Sequence, residues 1–242
     1  MIAAIRSEAL RAVSGLSLWA TYVLAIFVPV AVLTSDPSLT DLSGLDDSAA
    51  TARLLQPLAW SFVTAAFAGA YAVTREWYYA SMDRTLTEVG FRRAFWGKMV
   101  AGVMAALWIT VGVCIGWTVV VLIVLSQEGR TFTLSQPGVQ VYAGALIGVV
   151  PGALIGGAVG WITRNYYIGA AAVLAFPILI EFALIRTSPD LARFSPGMAI
   201  AAIGVPEYQG HLLSSAAGAC IALAWTVVLV VAAWFLGRRR VA

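Results

Sequence analysis

Six apolar runs separated by short polar stretches make up most of this chain. The runs cover 16–33, 56–74, 98–125, 138–162, 167–185 and 214–236. Eighteen residues, the length of the first, rise about 27 Å as a helix, close to a hydrocarbon core of about 30 Å. The third run is longer than one crossing needs, so it tilts or extends past the bilayer. Pro29 falls near the end of the first run and is expected to kink it. Ahead of that run, Ile2, Ile5, Ala9, Val13 and Leu16 recur at helical spacing, with Arg6 and Arg11 between them. This spacing predicts an amphipathic helix over 1–15, lying in a membrane interface. The expected fold is all-α and polytopic, a single transmembrane domain of six helices over 1–242.

The polar stretches are uneven. Residues 34–53 hold Asp36, Asp41, Asp46 and Asp47 against Arg53 and read as a solvated acidic loop. The stretch Arg75–Lys98 carries Arg75, Glu76, Asp83, Arg84, Glu88, Arg92, Arg93 and Lys98, interleaved with Trp77, Tyr78, Tyr79, Met82, Leu86, Phe91, Phe95 and Trp96. So many aromatics among charges suggest a helix under the membrane that grips another surface. Residues 186–213 surround the apolar run Met198–Val205 with Pro189, Pro196, Gly197, Gly204, Pro206 and Gly210. Eight apolar residues are too few to cross. A re-entrant hairpin and a surface loop both fit.

Composition agrees. Of 242 residues, 61% are hydrophobic and 11% charged, where a soluble domain has about a quarter charged. No loop left between the runs is long enough for a soluble domain. The net charge of +3 is a matter of orientation and not of nucleic-acid binding. With six spans, eleven cations fall on the side of both termini and four (Arg53, Arg130, Arg186, Arg193) on the other. The chain is therefore expected in the cell membrane, multi-pass, with both termini cytoplasmic. No cleavable leader is expected, because Thr34-Ser-Asp-Pro follows the first run and no small-x-small site does.

The candidate chemistry is sparse. Cys114 and Cys220 lie in apolar runs and read as packing residues. One histidine and two cysteines offer no metal constellation, and Gly97-Lys98 lacks the residues of a phosphate loop. No catalytic residue is expected, and no ATP hydrolysis by this chain alone. The fourth run places Gly144, Gly148, Gly152, Gly156 and Gly160 four residues apart, so they share one helix face where another backbone can come close. This face is either a packing surface within the chain or a sliding surface. Glu181 is the only acid inside an expected span. It is either a structural, paired glutamate or one that meets substrate or a proton. Most tryptophans sit near span ends as an interfacial belt, while Trp108, Trp117 and Trp225 fall deeper. Trp108 and Trp117 are candidates for lining a substrate path.

The order of these elements resembles the permease subunit of type-2 ABC transporters, the ABC-2 family. The likeness covers nearly the whole chain: a basic amphipathic N-terminus, six spans, a charged loop after span two and an apolar, proline- and glycine-bounded segment before span six. Locally it rests on Glu76, Arg84-Thr85-Leu86, Arg92-Arg93 and Lys98, with Ser81 and Gly90 where the family commonly has Gly and Pro. The resemblance implies a membrane complex of two permeases, identical or homologous, with two copies of an ATP-binding subunit. Residues 75–98 would be a coupling helix, with Glu76, Arg84, Glu88, Arg92 and Arg93 engaging the ATPase. ATP and Mg would be bound by that partner and no cofactor by this chain. Most members export lipids, glycans, drugs or peptides along a path between the two permeases. The alternative reading is a secondary ion-coupled transporter or a channel that uses Glu181.

Overall fold

The computed structural model describes residues 16–206 and 208–239 (without the side chains of 16–19, 37 and 209). The helix expected over 1–15 lies outside the described residues. Every regular element among the described residues is helical. Helix α1 is Leu16–Ser35, α2 Asp47–Leu55, α3 Ser61–Tyr78, α4 Met82–Val89, α5 Phe91–Gln127 and α6 Gln136–Thr163. Helix α7 is Tyr166–Ala175, α8 Phe182–Thr187, α9 Pro189–Ala192, α10 Pro196–Gly204 and α11 Ser215–Arg239. A 3-10 turn, Gln56–Trp60, joins α2 to α3, and a π-helical turn, Phe176–Glu181, joins α7 to α8.

Five of the resulting helices are long and apolar enough to cross a membrane: Asp47–Tyr78, Phe91–Gln127, Gln136–Thr163, Tyr166–Thr187 and Ser215–Arg239. In α1, the apolar stretch Ala20–Ser35 is shorter. The outer faces are greasy. Trp108, Leu179, Ile115 and Leu223 are each more than 60% exposed, a surface that suits lipid and not water.

Two boundaries differ from the sequence reading, each for a local reason. Residues 47–53, read as part of the acidic loop, belong to α2. Asp46 caps it by accepting from the Ala49 N–H, and Leu54 and Leu55 bury their side chains, so a polar sequence still builds a helix whose one face is core. The acidic loop before it is not free either. Arg53 Nη1 donates to the Asp41 carbonyl at 2.7 Å, and Arg130 donates to the carbonyls of Leu45 and Leu42 at 2.7 and 2.9 Å. The stretch Arg75–Lys98 is not one interfacial helix. Helix α3 runs on to Tyr78 and α5 begins at Phe91, so only Met82–Val89 stands alone. Ala80, at φ 52°, turns the chain out of α3. Gly90, at φ 80° and ψ 151°, turns it into α5, a conformation that only glycine adopts readily.

Helix α6 packs closely on α3, and α5, α10 and α11 pack around α6. The glycine face makes this possible. A Cβ on Gly152 would fall 2.9 Å from the Phe62 carbonyl oxygen, and one on Gly160 3.0 Å from that of Ala70; one on Gly156 would overlap the Ala66 carbonyl oxygen. Nearer the other end of α6, a Cβ on Gly144 would overlap the Gly204 backbone, and one on Gly148 would press on Ile200 at 2.8 Å. One glycine face thus serves α3 over half its length and α10 over the rest.

Gly156→Ala is therefore expected to lower stability by about 1–3 kcal/mol through overpacking. Gly116 sits on the exposed face of α5 with no atom within 4 Å of its Cβ position, and Gly116→Ala should be neutral or stabilising by up to about 1 kcal/mol. Thermal unfolding of both variants in one detergent checks the pair. Equal midpoints would contradict the close approach.

Candidate functional site

Two groups of polar side chains sit where burial makes them costly. The first lies at the end of the bundle that carries α4. Glu76 is on the last turn of α3 and Lys98 on the second turn of α5. Lys98 Nζ meets Glu76 Oε1 at 2.7 Å, and the side chains are 2% and 8% exposed. The chain thus pins α3 to α5 across the α4 segment by opposite charges held out of water. Around them lies an aromatic block. Phe95 packs against Trp161 and Trp234 with ring centroids 5.3 and 5.1 Å away, and Phe91 contacts the same two tryptophans at 5.6 and 5.1 Å. These rings come from α5, α6 and α11, so three helix ends are joined in one cluster. Arg164, at φ 51° where α6 ends, stacks its guanidinium 4.9 Å over Trp77 and donates to the Gly237 carbonyl.

Helix α4 hangs on this block by one face. Met82 is fully buried, whereas Asp83, Arg84, Thr87 and Glu88 are exposed. Arg84 Nε donates to Glu88 Oε1 at 2.7 Å, and this contact raises the guanidinium pKa above its ordinary value. Arg92 and Arg93, on the first turn of α5, are also exposed. Of the five residues expected to engage a partner, four are therefore on the surface. Glu76 lies inside, against Lys98, and acts on the shape of the block.

The second group surrounds Glu181. Its side chain is completely buried. Pro177, the second residue of the π-helical turn that ends at Glu181, removes a backbone donor. The turn aims the carboxyl at the start of α10, where Oε1 accepts the Gly197 N–H at 2.8 Å. Ser195 lies beside the same carboxyl. Oε2 and the Ser195 hydroxyl are both buried without a hydrogen-bond partner of normal geometry. The preceding carbonyl, Phe194, accepts from Trp225 Nε1 at 2.9 Å. The two polar groups of this turn are thus held by side chains of the flanking helices. The sequence flagged Glu181 by its rarity. Gly197 carried no such signal, since its contribution is a backbone N–H and a missing side chain.

The tryptophan candidates separate. Trp108 is 70% exposed on the outer face of α5. Trp117 is buried and donates its indole N–H to the Leu54 carbonyl at 2.9 Å, fastening α2 to α5. Neither lines a cavity with Glu181, whereas Trp225 does. That cavity, about 490 Å³, lies between α3, α6, α7, α10 and α11. A second one, about 730 Å³, separates α1 from α7 and α8, with Trp60, Phe182 and Arg186 in its wall. Among the described residues no three His, Cys, Asp or Glu side chains come together as a metal site, and Cys114 and Cys220 are free thiols.

Among the described residues the protein is all-helical, with five helices long and apolar enough to cross a membrane. In comparison with known proteins, no family model, no curated protein and no solved structure matches the chain.

Removing one charge of the buried pair should be costly. Lys98→Met is expected to destabilise by about 3–5 kcal/mol, because it takes the lysine charge from the buried Glu76 carboxylate, while Glu76→Leu with Lys98→Met should recover most of the loss. Thermal unfolding of the single and double variants gives the coupling. A double variant no better than the single one would mean that the two charges do not act as a pair.

Proposed function

We propose that this chain is the transmembrane subunit of an ATP-driven transporter of the ABC-2 type, working as a pair of permeases with separate ATP-binding subunits. The observation that carries the reading is the α4 assembly. A short helix with an exposed charged face is bound by its other face to a block of buried charge and packed aromatics. That block joins the ends of α5, α6 and α11. A force applied to α4 from outside would reach three membrane helices at once, as rigid-body rocking requires. In this reading Arg84, Glu88, Arg92 and Arg93 meet the ATPase, and Glu76 with Lys98 carries the force inward.

The same reading assigns the α4 end to the cytoplasm, since Arg75, Arg92, Arg93, Lys98, Arg164, Arg238 and Arg239 gather there. It makes α1, of which 20 residues are described, the sixth span. It also makes α10 a re-entrant segment. The first residues of α10 lie level with Gly152, well inside α6, and its last with Gly144. Backbone turning at such a depth survives only when its polar groups are answered by protein. Glu181 and Trp225 answer two of them. ATP and Mg belong to the partner, and direction of transport follows the family, by analogy, as export. The ion-coupled carrier remains the second reading because Glu181 is a fully buried acid.

Purification of the tagged chain from native membranes in mild detergent tests the first reading. A nucleotide-binding subunit should elute in equal amount and be lost when Arg84, Arg92 and Arg93 are reversed to Glu, with the chain still folded. Glu76 is left unchanged in this test because it is internal. A chain that elutes alone, and that moves solute in liposomes under a pH gradient without ATP, would instead favour the carrier.

A further inference from the structure

Helix α1 stands apart from α7 and α8. It packs on α3, α5 and the 3-10 turn Gln56–Trp60. Leu24, Phe27, Val28, Ala31 and Ser35 follow one another at steps of three and four residues, so they share one face of α1. That face is one wall of the groove of about 730 Å³. The other wall is α7 with α8, from Leu174 to Thr187. Trp60 closes the floor, with Phe182 stacked on it at 6.1 Å between ring centroids. Phe27 and Leu179 line the groove and are 60% and 66% exposed, so it is open along its side.

Length and polarity say what fits it. From Leu24 to Ser35 a helix rises about 16 Å, about half of a hydrocarbon core of about 30 Å, which is the depth of one leaflet. The polar groups gather at one end. Ser35 is the last residue of α1, and Arg186 and Thr187 are the last two of α8. All three line the groove, at the end of the bundle away from α4. The Ser35 and Thr187 hydroxyls donate to the carbonyls of Val32 and Ala183 at 2.9 and 3.0 Å, which leaves the Arg186 guanidinium as the donor. Arg186 is exposed, and among the described residues no acid pairs with it. Asp190 pairs with Arg193 at 3.4 Å, and Asp36 accepts from the hydroxyls of Ser38 and Tyr208. An apolar slot one leaflet deep, with a cation at its mouth, has the polarity of a single anionic lipid. Guanidinium is also the side chain best shaped to hold a phosphate.

We propose that the groove between α1 and α7–α8 is a binding site for one anionic phospholipid of the surrounding membrane. Its phosphate meets Arg186, and one acyl chain runs down the groove past Phe182 towards Leu24 and Leu174. The chain fills the space that α1 leaves beside α7 and α8, so the lipid joins them where the protein itself does not. The site rests on these helices lying in a membrane and is independent of an ATPase partner.

Native mass spectrometry of the full chain in mild detergent tests this, with dioleoyl phosphatidylglycerol and dioleoyl phosphatidylcholine titrated in equal amounts. One phosphatidylglycerol per chain is expected, preferred over phosphatidylcholine by about fivefold, the worth of one cation beside an anionic lipid. Arg186→Gln should bring the two lipids to equal occupancy, and Arg186→Lys should keep the preference. Ala183 lines the groove and is exposed, so Ala183→Trp should fill the slot and remove the bound lipid without disturbing the core. Each variant should elute from a sizing column as the wild type does. A preference that survives Arg186→Gln, or equal binding of both lipids by the wild type, would overturn the proposal. So would a lipid-free pair of chains that Ala183→Trp separates, which would give the groove to a second copy.

Discussion

A lysine and a glutamate 2.7 Å apart, both nearly out of reach of water, leave a helix bundle little freedom. Neither charge can be uncovered alone without a cost of several kcal/mol. Everything at the α4 end is arranged around that constraint. The Glu76–Lys98 pair fixes where α3 stops and how α5 starts, and Gly90 and Ala80 then allow eight residues of helix between them. The aromatic rings of Phe91, Phe95, Trp161 and Trp234 extend the joint to α6 and α11. A pair of charges is less adaptable than apolar packing, because its geometry has to be met. On the permease reading, that stiffness is its use.

The spans were legible because their signal is composition and length, which survive without any knowledge of neighbours. Ends were less legible. Trp77 and Phe95 continue packed helix faces beyond the apolar runs, so α3 and α5 outlast the windows that announced them. Helix α2 escaped notice because its core face is only part of a nine-residue sequence that also carries Asp47, Ser48 and Arg53. The glycine repeat on α6 announced close approach, but its partners, Phe62, Ala66 and Ala70 on α3 and Gly204 on α10, could not be read from it. Glu76 and Lys98 stood out as charges at span ends. Their pairing did not, since nothing in a sequence says that two residues 22 apart meet inside the protein. Glu181 was visible for the same reason that makes it costly, an acid among apolar residues.

The helices differ in how firmly they are held. Over its most apolar stretch, the helix formed by α2 and α3 is 83% buried, against 22% for α7 with α8 and 17% for α11. Both cavities border α7 or α8, one towards α1 and one towards α10 and α11. The π-helical turn, where backbone bonding is already shifted in register, divides that same helix at Glu181. The cavity beside Glu181 is lined in part by Gly152, Phe62 and Ala66, so open space begins directly against the glycine packing of α6 on α3. Through its hydrogen bond from the Gly197 N–H, Glu181 ties this loosely held helix to the N-terminus of α10, which is itself packed against the glycine face of α6.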